Sequence, residues 1–156
     1  TMDTLEKFAG KRPVGWLGPG LTQTLETPDL LAAAGVKYIG DFPYDDEPTD
    51  IQTAYGPLVT LPYTVENNDI PMMMVQHHEA AYWTKKCIDT FDRYYLEAKE
   101  RPKIMSIAIH PYISGQPFRI GYLEKVYEHI NKHSGVVHWN GEQILDWYTS
   151  EKSRTA

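Results

Sequence analysis

A single cysteine, Cys87, stands in the 156 residues, which excludes an intrachain disulfide and any cysteine-rich zinc cluster and suits a reducing compartment. Positive charge is scarce as well: 15 Lys and Arg against 21 Asp and Glu leave a formal net charge of −6. Lys85-Lys86 is an isolated pair, and without a basic stripe to release counterions neither nucleic acid nor an anionic membrane is expected as a partner. No apolar run approaches the roughly 20 residues that span a bilayer. The opening Thr-Met-Asp-Thr-Leu-Glu lacks the basic and apolar regions of a signal peptide, so the expectation is a soluble, cytoplasmic chain. Internal repeats and low-complexity linkers are also lacking. The 42% of residues that are hydrophobic therefore have one ordinary core to fill.

What is present alternates between helical and extended patterns. Asp3 to Ala9 reads as a short helix stopped by Gly10, and Lys11 to Gly20 as a strand opening into a Gly- and Pro-rich loop around Trp16. Thr27-Pro28-Asp29 supplies a cap, a proline and an acid for a helix that Gly35 closes. Val36 to Ile39 is a short strand emptying into Asp41, Asp45 and Asp46, and Ile51 to Pro62 a hairpin turning at Tyr55-Gly56-Pro57. Val65 to Met74 has no regular period. Glu79 to Ala98 is the clearest helix, with Ala80, Trp83, Cys87, Ile88, Phe91, Tyr94 and Tyr95 on one face. A near-continuous apolar run, Ile104 to Ile109, follows as a buried strand, then a helix carrying Ile120, Leu123, Val126 and Ile130, capped by Gly135. Val136 to Trp139 is a further short strand, and Asn140 starts a last helix before a polar tail, 151–156. This is the alternation of βα units around a parallel sheet. A closed barrel of such units needs about twice as many, so residues 1–150 read as one part of a barrel whose sheet edges would favour self-association into a homo-oligomer.

The buried run ends at His110-Pro111. Proline cannot donate to a sheet ladder, so the imidazole stands at the carboxyl end of a strand, where α/β folds gather reacting groups. With an ordinary pKa near ~6.5, histidine can give up a proton near neutral pH. The alternative is a core histidine bonded to backbone. A carboxylate on the other ring nitrogen would fix the tautomer, and Asp41, Asp45 and Asp46 are the candidates, unless they only form turns or cap helices. Glu66, Asn67, Asn68 and Asp69 form a polar knot that either lines a pocket or makes an ordinary turn. Trp16, Tyr44 and Tyr63 offer faces for stacking on a sugar or flat ring. His129 and His133 stand four apart on a helix, as zinc ligands can, but with no third ligand in sequence reach they read as helix-terminal histidines. His77-His78 read as surface residues, and Cys87 as a buried structural thiol.

Arg12 to Gly20 (RPVGWLGPG), Leu30 to Pro48 (LLAAAGVKYIGDFPYDDEP), Leu61 to Pro71 (LPYTVENNDIP) and Ser106 to Ile120 (SIAIHPYISGQPFRI) together resemble the C-terminal half of the polysaccharide deacetylase family, the NodB-homology domain. The branch is the one that includes allantoinase-like hydrolases of C–N bonds. The resemblance implies an α/β fold, the C-terminal half of a distorted (β/α) barrel with parallel strands and outer helices. It implies an amide hydrolase acting on an N-acetylated carbohydrate or a small cyclic amide, or else a non-catalytic domain that binds such a ligand. His110 aligns with the histidine that protonates the leaving nitrogen, and Ile109 with an apolar wall of the acyl pocket. Asp41 or Asp45 falls near the acid that orients the histidine, and Trp16 in a motif where many members place an arginine that this chain lacks. Glu66, Asn68 and Asp69 are assigned to the substrate. A divalent metal, zinc or similar, is implied for the complete domain. Its ligands, an Asp and the two His of an H-x-x-x-H motif, belong to a missing N-terminal half of the same domain, and none is expected to be held by this chain alone.

Overall fold

The structure, a computed structural model, describes residues 1–155. It divides into two compact units, residues 1–62 with 139–155, and residues 63–138.

In the first unit, β1 (Gly15–Trp16), β2 (Tyr38–Ile39), β3 (Thr49–Thr53) and β4 (Gly56–Thr60) form one sheet in the order β1-β2-β4-β3. The pairs β1/β2 and β2/β4 are parallel, and β3 returns antiparallel to β4. The hairpin turns at Ala54-Tyr55, not at Tyr55-Gly56-Pro57, because Thr53 pairs with Gly56 and the Thr53 hydroxyl donates to the Gly56 carbonyl. Pro57 stands opposite Gln52 of β3 and outside the part of β4, Val59 and Thr60, that pairs with β2. Helices α1 (Met2–Ala9), α2 (Thr27–Ala33) and α5 (Gly141–Thr155) complete the unit. Gly10 ends α1 with a positive φ of 73°. Thr27 lies inside α2 instead of capping it: Glu26 takes the cap position and the Thr27 hydroxyl accepts from the Thr24 amide. Asn140 does cap α5, and reciprocally. Its side chain accepts the Gln143 amide at 3.0 Å, and its own amide donates to the Gln143 side chain at 2.9 Å. The polar residues expected as a tail continue α5 as far as Thr155. Met2, Leu31, Val36, Ile39 and Leu58 form the core here, with Val59, Leu61 and Leu145 as a second cluster. The Arg12 guanidinium pins α1 to α2 by donating to Asp3, Glu6 and the Ala34 carbonyl.

In the second unit, α3 (Ala80–Glu97) packs on α4 (Ile120–Ile130) around Trp83, Cys87, Phe91, Ile113, Val126 and Ile130. The segment expected to be irregular contains a π-helical turn, Ile70–Val75, which seats Met72 and Met73 in this core. Two expected strands do not form. Residues 104–109 carry no ladder, because their links to the 64–69 segment run through side chains. Thr64 N donates to the Ser106 hydroxyl and the Thr64 hydroxyl to the Ser106 carbonyl, leaving one backbone bond, from Asp69 N to the Ala108 carbonyl. Residues 136–139 are also unpaired, and Val137 stays exposed. Gly135 has a positive φ of 76°, but it lies in the turn beyond α4, whose cap is Asn131.

Cys87 is fully buried, as its helical position predicts. Burial pushes its thiol from an ordinary 9.0 up to about 12, and burial also raises the Tyr38, Tyr63 and Tyr148 phenols. All four favour the neutral form in the folded state. For Cys87 the contribution to stability is therefore complete below pH 9.0 and is lost as the pH rises toward about 12, and for the three phenols it is lost as the pH rises above their ordinary 10.0. Urea midpoints measured across that window are expected to fall steadily, and Cys87→Ala to flatten part of the slope. A wild-type midpoint independent of pH there would contradict the burial of these groups.

Candidate functional site

Asp69 organises the second unit's polar centre. It immediately precedes the π-helical turn, and its side chain folds away from that turn instead of capping it. The carboxylate has no solvent exposure and accepts from three donors. The His110 amide reaches Oδ2 at 2.7 Å, His110 Nδ1 reaches Oδ1 at 2.6 Å, and the Ser114 hydroxyl donates to Oδ2. A buried carboxylate is stable only where donors replace the water it loses. Three donors converge here, and an acceptor-only ion requires that Nδ1 carry a proton. Nε2 is then the ring nitrogen free to exchange a proton, on a side chain that is 31% exposed. The same charge reaches Tyr63, whose phenol is raised first by burial and then by Asp69.

Both sides of the pair are anchored. On the Asp69 side, Asn67 is buried, its carbonyl accepts the Trp83 indole N–H at 3.2 Å, and its side chain engages Thr64 and Thr90. On the other side the chain turns tightly after His110, whose carbonyl accepts the Ile113 and Ser114 amides at 2.8 and 3.1 Å. Ile113 enters the core and turns Ser114 inward toward Asp69. Tyr112 stays exposed, with its ring edge-on to His110 at 5.7 Å.

The carboxylate on His110 is thus Asp69, not Asp41, Asp45 or Asp46. Asp45 Oδ1 accepts the Asp46 amide at 2.7 Å, the turn role that aspartates in loops commonly take. Asp41 is buried and accepts the Gly18 amide at 2.5 Å, which fixes the loop after Trp16. A Cβ on Gly18 would lie 2.7 Å from Asp41 Oδ2, so glycine is needed for that approach. Asp41 Oδ2, Trp16 Nε1 and Gln23 Oε1 are buried with no hydrogen-bond partner among the described residues. Ile109 is 45% exposed beside His110 and Glu66 is exposed. Asn68 Oδ1 accepts the Ile70 amide, making the polar knot partly a turn. Tyr44 stacks on Phe42 at 5.5 Å.

The sequence reading assigns Asp69 to the substrate and seeks the partner of His110 among Asp41, Asp45 and Asp46; the structure instead buries Asp69 against His110. Forty-one residues separate the two partners, and no local spacing encodes such a pairing. The available signals were an acid directly before Ile70-Pro71 and a serine four residues after the histidine.

Of the pair, only His110 Nε2 is left without a hydrogen-bond partner among the described residues. Both Asp69 oxygens are taken, and Nδ1 is protonated toward one of them.

No protein-family model matches the chain. It is 27% identical over 190 aligned positions to a peptidoglycan deacetylase of Helicobacter pylori, covering 99% of this chain and 63% of that protein. A crystal structure of a probable polysaccharide deacetylase from Pseudomonas aeruginosa PAO1 superimposes with a TM-score of 0.87 at 29% identity, over 96% of this chain and 51% of that one. The crystal structure of PuuE allantoinase gives the same TM-score at 26% identity, over 96% and 50%. The chain therefore spans less than two thirds of the curated relative and about half of each structure.

Gly115 sets the close approach in the turn that carries His110 and Ser114. A Cβ there would lie 2.5 Å from the Pro111 carbonyl oxygen and 2.9 Å from its Cα, which are backbone atoms that cannot rotate away. Gly115→Ala is expected to destabilise the protein by about 1–3 kcal/mol, the usual cost of overpacking. Urea unfolding reads the change, and an unaltered midpoint would show that the turn is not the constraint described.

Proposed function

We propose that this chain, which is similar in sequence and fold to polysaccharide deacetylases and to an allantoinase, supplies the proton-donating half of a hydrolase of non-peptide C–N bonds. The observation that carries the reading is the buried Asp69 carboxylate holding His110 Nδ1. Hydrolysis of an amide requires water to add to the carbonyl carbon and the departing nitrogen to gain a proton. His110 in its protonated form donates from Nε2 to that nitrogen as the C–N bond breaks. Asp69 fixes the ring and keeps Nε2 as the outward atom, while Ser114 holds Asp69 in register. Ile109 is assigned to the substrate as an apolar wall beside the reacting group.

The substrate class is an N-acetylated carbohydrate or a small cyclic amide, the two chemistries represented among the similar proteins. A divalent metal would supply Lewis acidity and an activated water, and its ligands are assigned to residues outside these 156. No residue of the Asp69–His110 pair is assigned to it. By itself the chain is expected to be inactive.

The test uses the complete enzyme. His110→Gln is expected to keep the fold and any metal and to lower kcat by roughly 10²–10⁴-fold, the contribution of a positioned proton donor. Asp69→Asn removes the charge but leaves a side chain of the same shape. It is expected to lower kcat with a smaller change in KM, because it disturbs the donor and not the substrate contacts. Turnover and melting temperature are measured on the same variants. Near-normal turnover in His110→Gln, with a large loss of stability, would make His110 structural and end the hydrolase reading.

A further inference from the structure

We propose that Asp92, His129 and His133 form a binding site for one divalent transition-metal ion of the zinc class, where α3 meets the end of α4. The two histidines have helical spacing but no third ligand near them in sequence, and the fold supplies Asp92 from α3. One ligand atom from each of the three lies within 4.8 Å of the other two. Small side-chain rotations bring such a set to the roughly 2.0–2.2 Å bonds that zinc makes to nitrogen and oxygen.

The hydrogen bonds favour a ligand set over a simple ion pair. His129 Nε2 faces Asp92 Oδ1 at 2.6 Å. His133 lies just beyond α4, with Nδ1 3.0 Å from the His129 carbonyl oxygen. A carbonyl only accepts, so Nδ1 is protonated and Nε2 keeps the lone pair that a metal requires. This bond to backbone is the outer-shell contact that commonly fixes the tautomer and orientation of metal-binding histidines. Aromatic packing restrains both rings. Phe91 meets His129 edge-on at 5.7 Å and His133 at 4.9 Å, and Tyr95 lies 4.7 Å from His133. The Tyr95 hydroxyl in turn donates to the Ser134 carbonyl. An ion pair needs only Asp92 and His129, whereas the His133 ring sits 5.0 Å from the His129 ring with its tautomer set for coordination.

Side-chain exposure of 51% for Asp92 and 29% for His129 gives an ion access and leaves a fourth position for water. The site is separate from the Asp69–His110 pair. His110 precedes α4, and the helix from Ile120 to His129 rises about 13 Å. The inference does not rest on the proposed hydrolysis. Its role would be to tie the end of α4 to α3.

Zinc(II) alone, titrated into the tag-free full-length protein against a chromophoric chelator, tests it. Asp92→Asn and His133→Gln are each expected to lose one equivalent of zinc, or to bind it more weakly by over the roughly tenfold that outer-shell changes cost. Circular dichroism should be unchanged, and zinc should raise the melting temperature of the wild type only. Cobalt(II) should give the visible absorption of a four-coordinate site in the wild type and not in the variants. If His133→Gln fails to fold, Asp92→Asn decides, since its side chain is half exposed. Wild-type zinc stoichiometry and affinity in folded Asp92→Asn would overturn the assignment.

Discussion

The buried carboxylate of Asp69 is the constraint on which the second unit's polar centre depends. With no exposure to solvent, it is tolerable only because three donors reach it. Each donor in turn dictates something about the chain. The His110 amide fixes where the extended segment after Ala108 ends, and His110 Nδ1 fixes the ring. The Ser114 hydroxyl requires a turn tight enough that Gly115 passes against the Pro111 backbone. One charge thus determines a strand-like segment, a ring orientation and a turn, and these three together expose a single imidazole nitrogen.

Where information was local, the sequence displayed it openly. The period of α3, the Gly10 stop, the Asn140 cap and the burial of Cys87 each follow from residues within a few positions of one another. His110 was legible for the same reason, as an apolar run meeting His-Pro. Its partner was not, because Asp69 and His110 meet only through tertiary folding, and Asp41 and Asp45 offered the same chemistry in a more conspicuous cluster. The apolar run itself misled on one point. Composition reports that a segment is covered, but a ladder also needs a backbone neighbour in register, and at Ser106 the bonds to Thr64 go through hydroxyls.

The first unit shows a different use of a buried acid. Asp41 holds the Gly18 amide and leaves its second oxygen without a partner, as Trp16 Nε1 and Gln23 Oε1 are also left. Unpaired buried polar atoms typically cost about 1–3 kcal/mol each. Three in one small unit mark a region whose polar groups are not satisfied by the described residues themselves. The sequence predicts a Gly- and Pro-rich loop around Trp16 in the stretch from Lys11 to Gly20, and Asp41 holds that loop through the Gly18 amide. The aspartate therefore acts on the backbone around Trp16, a structural task that the turn-forming reading came near without identifying the partner.

Two histidines share one kind of outer bond in different surroundings. In both, Nδ1 donates and Nε2 is left free. At His110 the acceptor is a buried carboxylate, which fixes the tautomer and the ring orientation. At His133 the acceptor is a backbone carbonyl, which fixes them in the same way. The residue type and even the protonated nitrogen are shared. What separates the two is the company of the free nitrogen: among the described residues His133 is grouped with Asp92 and His129 as possible ligands, and no such group includes His110.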